Sequence, residues 1–167
     1  IWLTFLTKLL YNHLTIYLFF TDMIVLIQRV SEASVTVDSQ IVGAIDKGIL
    51  AFVAVEPNDT EAIVKRMAER VAGYRIFEDE NGKMNLNVRQ AEGDVLAISQ
   101  FTLAADTTRG MRPSFTSAAS PELGDKLYQY FCEQLRAFNL QVPMGIFGAD
   151  MKVRLLNDGP VTFTLRS

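Results

Sequence analysis

The chain has 167 residues, 49% hydrophobic and 21% charged, which suits one domain with its own apolar core and no need of a metal or disulfide staple. A formal charge of −3 excludes a domain that binds nucleic acid by bulk positive charge, so any such partner must be held by a local patch. The single cysteine, Cys132, excludes an internal disulfide, and the single histidine, His13, lies in a segment that reads as separate from the domain, which closes Ser-His-Asp, Cys-His and His/Cys zinc chemistry to the rest.

Residues 1–22, IWLTFLTKLLYNHLTIYLFFTD, have the length of a membrane span, but Lys8, Asn12 and His13 stand near the middle, where polar groups are expensive. A signal peptide fits poorly, because a basic start and a small-residue cleavage site are both missing. Met23 is therefore expected to be the natural start, with the stretch before it as upstream sequence. A peripheral or membrane anchor is the other reading. The domain is residues 23–167.

From Met23 onward, four short runs rich in β-branched residues, IVLIQRV, ASVTVD, IVGAID and ILAFVAV, predict an antiparallel meander with turns near Asp38, Ser39 and Gly48. Arg29, at the end of the first run, reads either as a solvated edge charge or as a guard at a pocket mouth. A helix follows. Asn58 or Asp59 is placed to cap it, Glu61 stands three residues after Asn58 as in a capping box, and Ile63, Val64, Met67, Ala68 and Val71 form its apolar stripe. YRIFED and KMNLNV then flank Asn81-Gly82, the strongest two-residue hairpin signal in the chain.

DVLAISQFTL, residues 94–103, begins as a buried strand and ends in Ser99, Gln100 and Thr102, where it runs into the loop AADTTRGMRPSF. A strand that empties polar residues into a long loop is a common site geometry, since the scaffold fixes the groups while the loop reaches a ligand. The alternative is that Ser99 and Thr102 cap the strand end by local hydrogen bonds. Ser120, with Pro121 and Glu122 behind it, opens a second helix. Its face of Leu123, Leu127, Tyr130, Phe131, Leu135 and Phe138 reads as core, and Cys132 as a small buried residue.

VPMGIFGA, MKVRLLN and VTFTL are three more strand candidates. Between the last two stand Gly159 and Pro160, which weaken a ladder and so must mark a turn, a bulge or an edge. Either this is an ordinary tight turn, or the backbone is itself a working surface. In the second case Gly159 removes the side chain, Pro160 removes an N–H and fixes φ, and a rigid set of carbonyl oxygens is left to meet a ligand bearing an ammonium group.

SQFTLAAD (99–106), RGMRPSF (109–115) and NDGPVTF (157–163), with LIQRVSEASVTV and YRIF…GKMNLNV, resemble the D-aminoacyl-tRNA deacylase family across residues 23–167. The first 22 residues have no counterpart there. The resemblance implies an α/β fold of mostly antiparallel, barrel-like sheets with two helices, in a cytoplasmic homodimer. It implies hydrolysis of the ester joining a D-amino acid to the 3′ end of tRNA, without metal or cofactor, with glycyl-tRNA(Ala) as a further substrate. Ser99, Gln100, Phe101 and Thr102 would line the pocket. Gly159 and Pro160, as a Gly-cisPro motif, would reach across the dimer into the partner's pocket and refuse L side chains. Arg109 and Arg112 flank the pocket loop, and with Met111 and Arg29 they are the expected contacts to the substrate end.

Thr102 has the position of a nucleophile, but a hydroxyl needs an adjacent base, and residues 23–167 hold no histidine. Hydrolysis assisted by the ribose 2′-OH, with the backbone N–H groups of Phe101 and Thr102 at the oxyanion, is therefore expected. The competing readings are a non-catalytic protein that sequesters aminoacyl-tRNA and an esterase indifferent to chirality.

Overall fold

The computed structural model describes residues 23–116 and 118–167; the reading of residues 1–22, His13 included, lies outside them. One long strand organises the sheet. β1 (Ile24–Val37) takes in both IVLIQRV and ASVTV, expected as separate strands, because its partner across one edge runs continuously past the polar break at Ser31 and Glu32. On the other edge β1 pairs antiparallel first with β3 (Gly48–Ala54), Ile24 opposite Ala54, and then with β2 (Gln40–Ile45), Val37 opposite Gln40. The simple meander thus gives way to two short strands sharing one edge of a long one.

The tight hairpin is the one between β1 and β2. Asp38 and Ser39 both have positive φ, 47° and 66°, the signature of a two-residue turn that follows the strand twist. At Asn81-Gly82 the expected tight turn is replaced by a wider loop between β4 (Phe77–Glu78) and β5 (Met84–Leu86). The Asp79 carboxylate gathers that loop by accepting from the N–H groups of Asn81 (2.9 Å) and Lys83 (3.1 Å) and from Asn85 Nδ2 (3.0 Å). Those backbone bonds hold its carboxyl below the usual range.

α1 (Glu61–Gly73) is capped by Thr60, whose hydroxyl accepts from Ile63 N–H at 3.4 Å. Neither Asn58 nor Asp59 serves, because the Asp59 carboxylate accepts instead from the N–H groups of Met23 (2.9 Å) and Glu56 (2.7 Å). The helix then crosses over so that β6 (Asp94–Ser99) pairs parallel to β3, Gly48 opposite Asp94 and Val53 opposite Ser99. A parallel pair requires such a crossover. It also explains the unbroken apolar runs of these two strands, which are buried on both faces. Ile49, Ala51, Val53, Val95 and Ala97 face the helices, while Leu50, Leu96 and Ile98 belong to a second core on the opposite face of the curled sheet.

α2 (Pro121–Arg136), capped by Ser120, packs beside α1. Leu127, Phe131 and Leu135 are buried as expected, but Leu123, Tyr130 and Phe138 are only partly covered. Cys132 is buried as read from the sequence, and Tyr128, outside the expected face, is buried too, so the stripe is rotated toward the sheet. Of the three tail candidates, VPMGIFGA contributes a bridge from Met144 to Ala97 beside β6. The other two are one strand, β7 (Lys152–Arg166), antiparallel to β1 along nearly its whole length. Among the described residues no helix is long and apolar enough to cross a membrane.

Candidate active site

β6 delivers the first constellation. Gln100 N–H donates to Val53 O at 2.7 Å, the last bond to β3, after which the chain coils into a short 3-10 turn, Phe101–Ala104. The turn closes through Leu103 N–H to Gln100 O and Ala105 N–H to Thr102 O, both 3.2 Å. Buried Ala104 anchors it against Ile24 and Ala54. The first N–H groups of such a turn, those of Phe101 and Thr102, have no acceptor within the turn itself. Gln100 Nε2 donates to Thr102 Oγ1 at 2.6 Å, which orients the hydroxyl but does not make it more basic.

Ser99, Gln100 and Phe101 open onto a cavity of about 470 Å³. Its floor is Val53, Val55 and Ile98, and its far side is formed by the first turns of α2 and by residues 147–151. Tyr128, absent from the sequence-based site, lines it as well; its hydroxyl donates to Ala97 O at 2.8 Å and its ring lies 6.2 Å from that of Phe147. Burial pushes the phenol above its ordinary range. Tyr128 and Phe147 are aromatic residues in a helix stripe and a loop, a pattern that on sequence alone means core.

The loop after the turn is pinned at its base. Asp106 and Ser114 exchange backbone bonds of 2.8 and 3.0 Å, and the Asp106 carboxylate accepts from Thr108 Oγ1 (2.6 Å) and N–H (2.9 Å). These bonds, the hydroxyl foremost, hold the Asp106 carboxyl below the usual range. Arg109, Met111 and Arg112 project from the exposed tip, outside the cavity. Phe115, at the loop's return, lies 5.2 Å from Phe101 ring to ring. The return of the loop, beyond its pinned base, therefore packs on the cavity rim, which spacing along the chain did not reveal.

The second constellation is a bulge in β7. Gln28 pairs with Thr162 and Val30 with Asn157, so residues 158–161 stand opposite Arg29 alone. The Gly159–Pro160 bond is cis. Gly159 has φ +127°, and a methyl group there would meet Val161 Cγ2 at 2.7 Å and Arg29 Nη2 at 3.0 Å, so only glycine fits. Val161 turns into the core while Asp158, Gly159 and Pro160 stay exposed.

Arg29 is not a solvated edge charge: it is 6% exposed. Its Nε donates to Asp158 O at 3.1 Å, with the Asp158 carboxylate at 3.2 Å, and Nη1 donates to Ile76 O at 2.8 Å. It thus holds the bulge from beneath. Within one protomer Gly159, Pro160 and Arg29 do not line the cavity at β6, and neither does Thr102, which was expected there and stands in the exposed 3-10 turn beside it. The ten sequence-predicted residues thus fall into a cavity rim of Ser99, Gln100 and Phe101, the adjoining turn, a loop tip and a bulge.

The D-Tyr-tRNA(Tyr) deacylase family matches residues 26–166. A D-aminoacyl-tRNA deacylase of Colwellia psychrerythraea is 67% identical over 143 residues, 86% of this chain and 99% of its own. Another, of Pectobacterium atrosepticum, is 61% identical over 145 residues, 87% and 100% of the two chains. A solved structure described as the c-Myc DNA Unwinding Element Binding Protein is similar with a TM-score of 0.81 at 37% identity, covering 86% of this chain and 98% of its own. A probable eukaryotic D-amino acid tRNA deacylase shares the fold with a TM-score of 0.73 at 17% identity, covering 86% and 98%.

Proposed function

The chain belongs to the D-Tyr-tRNA(Tyr) deacylase family, and from that premise we propose that it hydrolyses the ester between a D-amino acid and the 3′ end of tRNA. The observation that carries this reading is the cavity at the end of β6, apolar in its floor and rimmed by Ser99, Gln100 and Phe101, the residue that opens the 101–104 turn. Water adds to the ester carbonyl, the carbonyl oxygen becomes an oxyanion, and collapse of the tetrahedral species breaks the bond to the ribose 3′ oxygen, which takes up a proton. The N–H groups of Phe101 and Thr102 receive the oxyanion, at roughly 3–4 kcal/mol per donor.

Thr102 positions the substrate. Its hydroxyl is engaged by Gln100 and has no histidine to activate it, so the ribose 2′-OH assists the attacking water. Arg109, Arg112 and Met111, at the tip of the loop whose return packs Phe115 on Phe101, meet the phosphates and sugar of the tRNA end.

Chirality is chosen by main chain. The exposed bulge offers carbonyl oxygens at a place where a side chain does not fit. Such a surface fixes the substrate ammonium so that an L side chain would strike backbone while a D side chain points away. Glycine passes, which extends the substrates to glycyl-tRNA(Ala). Because the bulge does not line its own cavity, the enzyme works as a homodimer, the bulge of one protomer facing the cavity of the other. Its substrates place it in the cytoplasm.

The test is release of tyrosine from D- and L-tyrosyl-tRNA with enzyme far below substrate. Many turnovers on the D ester alone are expected. Stoichiometric binding without turnover would mean an aminoacyl-tRNA-binding protein, and equal release from both esters an unselective esterase.

A further inference from the structure

The bulge has a second brace, independent of Arg29. Asn157 is the last paired residue before it and Thr162 the first after it. Asn157 Oδ1 accepts from Val161 N–H at 3.2 Å, and Nδ2 donates to Thr162 Oγ1 at 3.0 Å. The orientation of this amide is dictated by the network, since a backbone N–H can only donate and so requires the oxygen to face it. Thr162 Oγ1 is also reached by Gln28 Nε2 at 3.2 Å. One planar side chain therefore closes the mouth of the bulge, joining the strand on one side to both residues on the other.

What lies between these ties has little else to shape it. Gly159 contributes no side chain, Pro160 no N–H, and residues 158–160 are exposed. Arg29 fixes Asp158 from below. At the exit of the bulge, after Pro160, the buried Val161 side chain and the Thr162 pairing with Gln28 set the strand, and Asn157 is the side chain that ties both residues back to the entry. Aspartate at this position could accept but not donate, and alanine could do neither.

We propose that Asn157 is a positioning residue for chiral selection: by holding Val161 and Thr162 it fixes where the Gly159 and Pro160 carbonyls point. This rests on the reading of the bulge as the selector. Loss of the brace lets the bulge give way before an L side chain, so selectivity changes through the L substrate.

The experiment compares wild type, Asn157→Ala, Asn157→Asp and Thr162→Val in single-turnover hydrolysis of D- and L-tyrosyl-tRNA, with hydrogen exchange of the Val161 amide followed in each. In Asn157→Ala the L rate is expected to rise, the D-to-L ratio to fall about tenfold and Val161 exchange to quicken about tenfold, the scale of one net hydrogen bond. Asn157→Asp, which keeps the acceptor, is expected to retain Val161 protection and most of the ratio. A purely structural role would lower both rates together and leave the ratio intact.

A ratio unchanged in Asn157→Ala, or Val161 exchange at the wild-type rate, overturns the brace while leaving the selector reading in place. Where Asn157→Ala does not fold, Thr162→Val carries the test, with an intermediate loss expected and wild-type values in both readouts overturning the proposal. A wild type without preference for the D ester overturns the selector reading and this inference with it.

Discussion

Arg29→Lys tests whether a buried guanidinium shapes the bulge. Arginine reaches two separated carbonyls, Asp158 O at 3.1 Å and Ile76 O at 2.8 Å, from different nitrogens of one rigid fork, whereas a lysine ammonium is a point donor that can serve only one of them well. The nearby Asp158 carboxylate, 58% exposed, adds little, as exposed ion pairs do. The substitution therefore removes one charge-assisted bond to a buried carbonyl, a loss of about 2 kcal/mol. For a domain of this size that lowers the midpoint of thermal unfolding by roughly 4–8 °C. The assay is a thermal melt of wild type and variant at neutral pH, paired with the D-to-L hydrolysis ratio, which is expected to fall as the bulge loosens. A midpoint within about 1 °C of wild type, well inside the loss of a single surface contact, would refute the reasoning.

Three other outcomes are expected. Thr102→Ala retains measurable D-tyrosyl-tRNA hydrolysis, and complete loss with an unchanged melt would make Thr102 the nucleophile. Replacing Arg109 and Arg112 together by glutamine reduces the slope of log affinity against log salt by roughly 1.4, two single-strand phosphate contacts; an unchanged slope would leave both arginines as solvated surface. Burial pushes the Cys132 thiol up to about 12 and the Tyr128 phenol higher still. Both folded values are raised, so their contribution is whole below the ordinary thiol range and is lost as pH climbs, the unfolded chain releasing protons first. Thermal midpoints should be flat from neutrality to about pH 8.5 and fall above it, and a flat profile to pH ~11 would contradict the burial of these groups.

Periodicity exposed what depends on local sequence: the stripe of α1, the Ser120 cap of α2 and the polar end of β6. It could not tell which strand pairs with which. The apolar run ILAFVAV does not say whether its neighbour is parallel or antiparallel, and only the crossover by α1 makes β6 its parallel partner. MKVRLLN and VTFTL looked like two strands because Gly159 and Pro160 ordinarily end one, and β1 carries the ladder past them. Arg29 was hidden for a related reason: a charge at a strand end is usually wet, and its carbonyl partners, 47 and 129 residues away, leave no trace in spacing. The Asp79 loop misled because a carboxylate two residues before Asn81 competes for the turn's own N–H groups.

β1 is both the first strand and the partner of the last, Ile24 lying opposite Arg166. During synthesis the sheet therefore cannot close until residues 152–166 have left the ribosome, and until then an unsatisfied edge of β1 is open to other chains. Removing even the final few of these residues would uncover the beginning of the domain, so its two extremes tolerate shortening far less than its hairpins do. Grafting a partner onto the protein is safest at the Asp38–Ser39 turn or the Asp79 loop, where the backbone is already wet and nothing waits on it to finish folding.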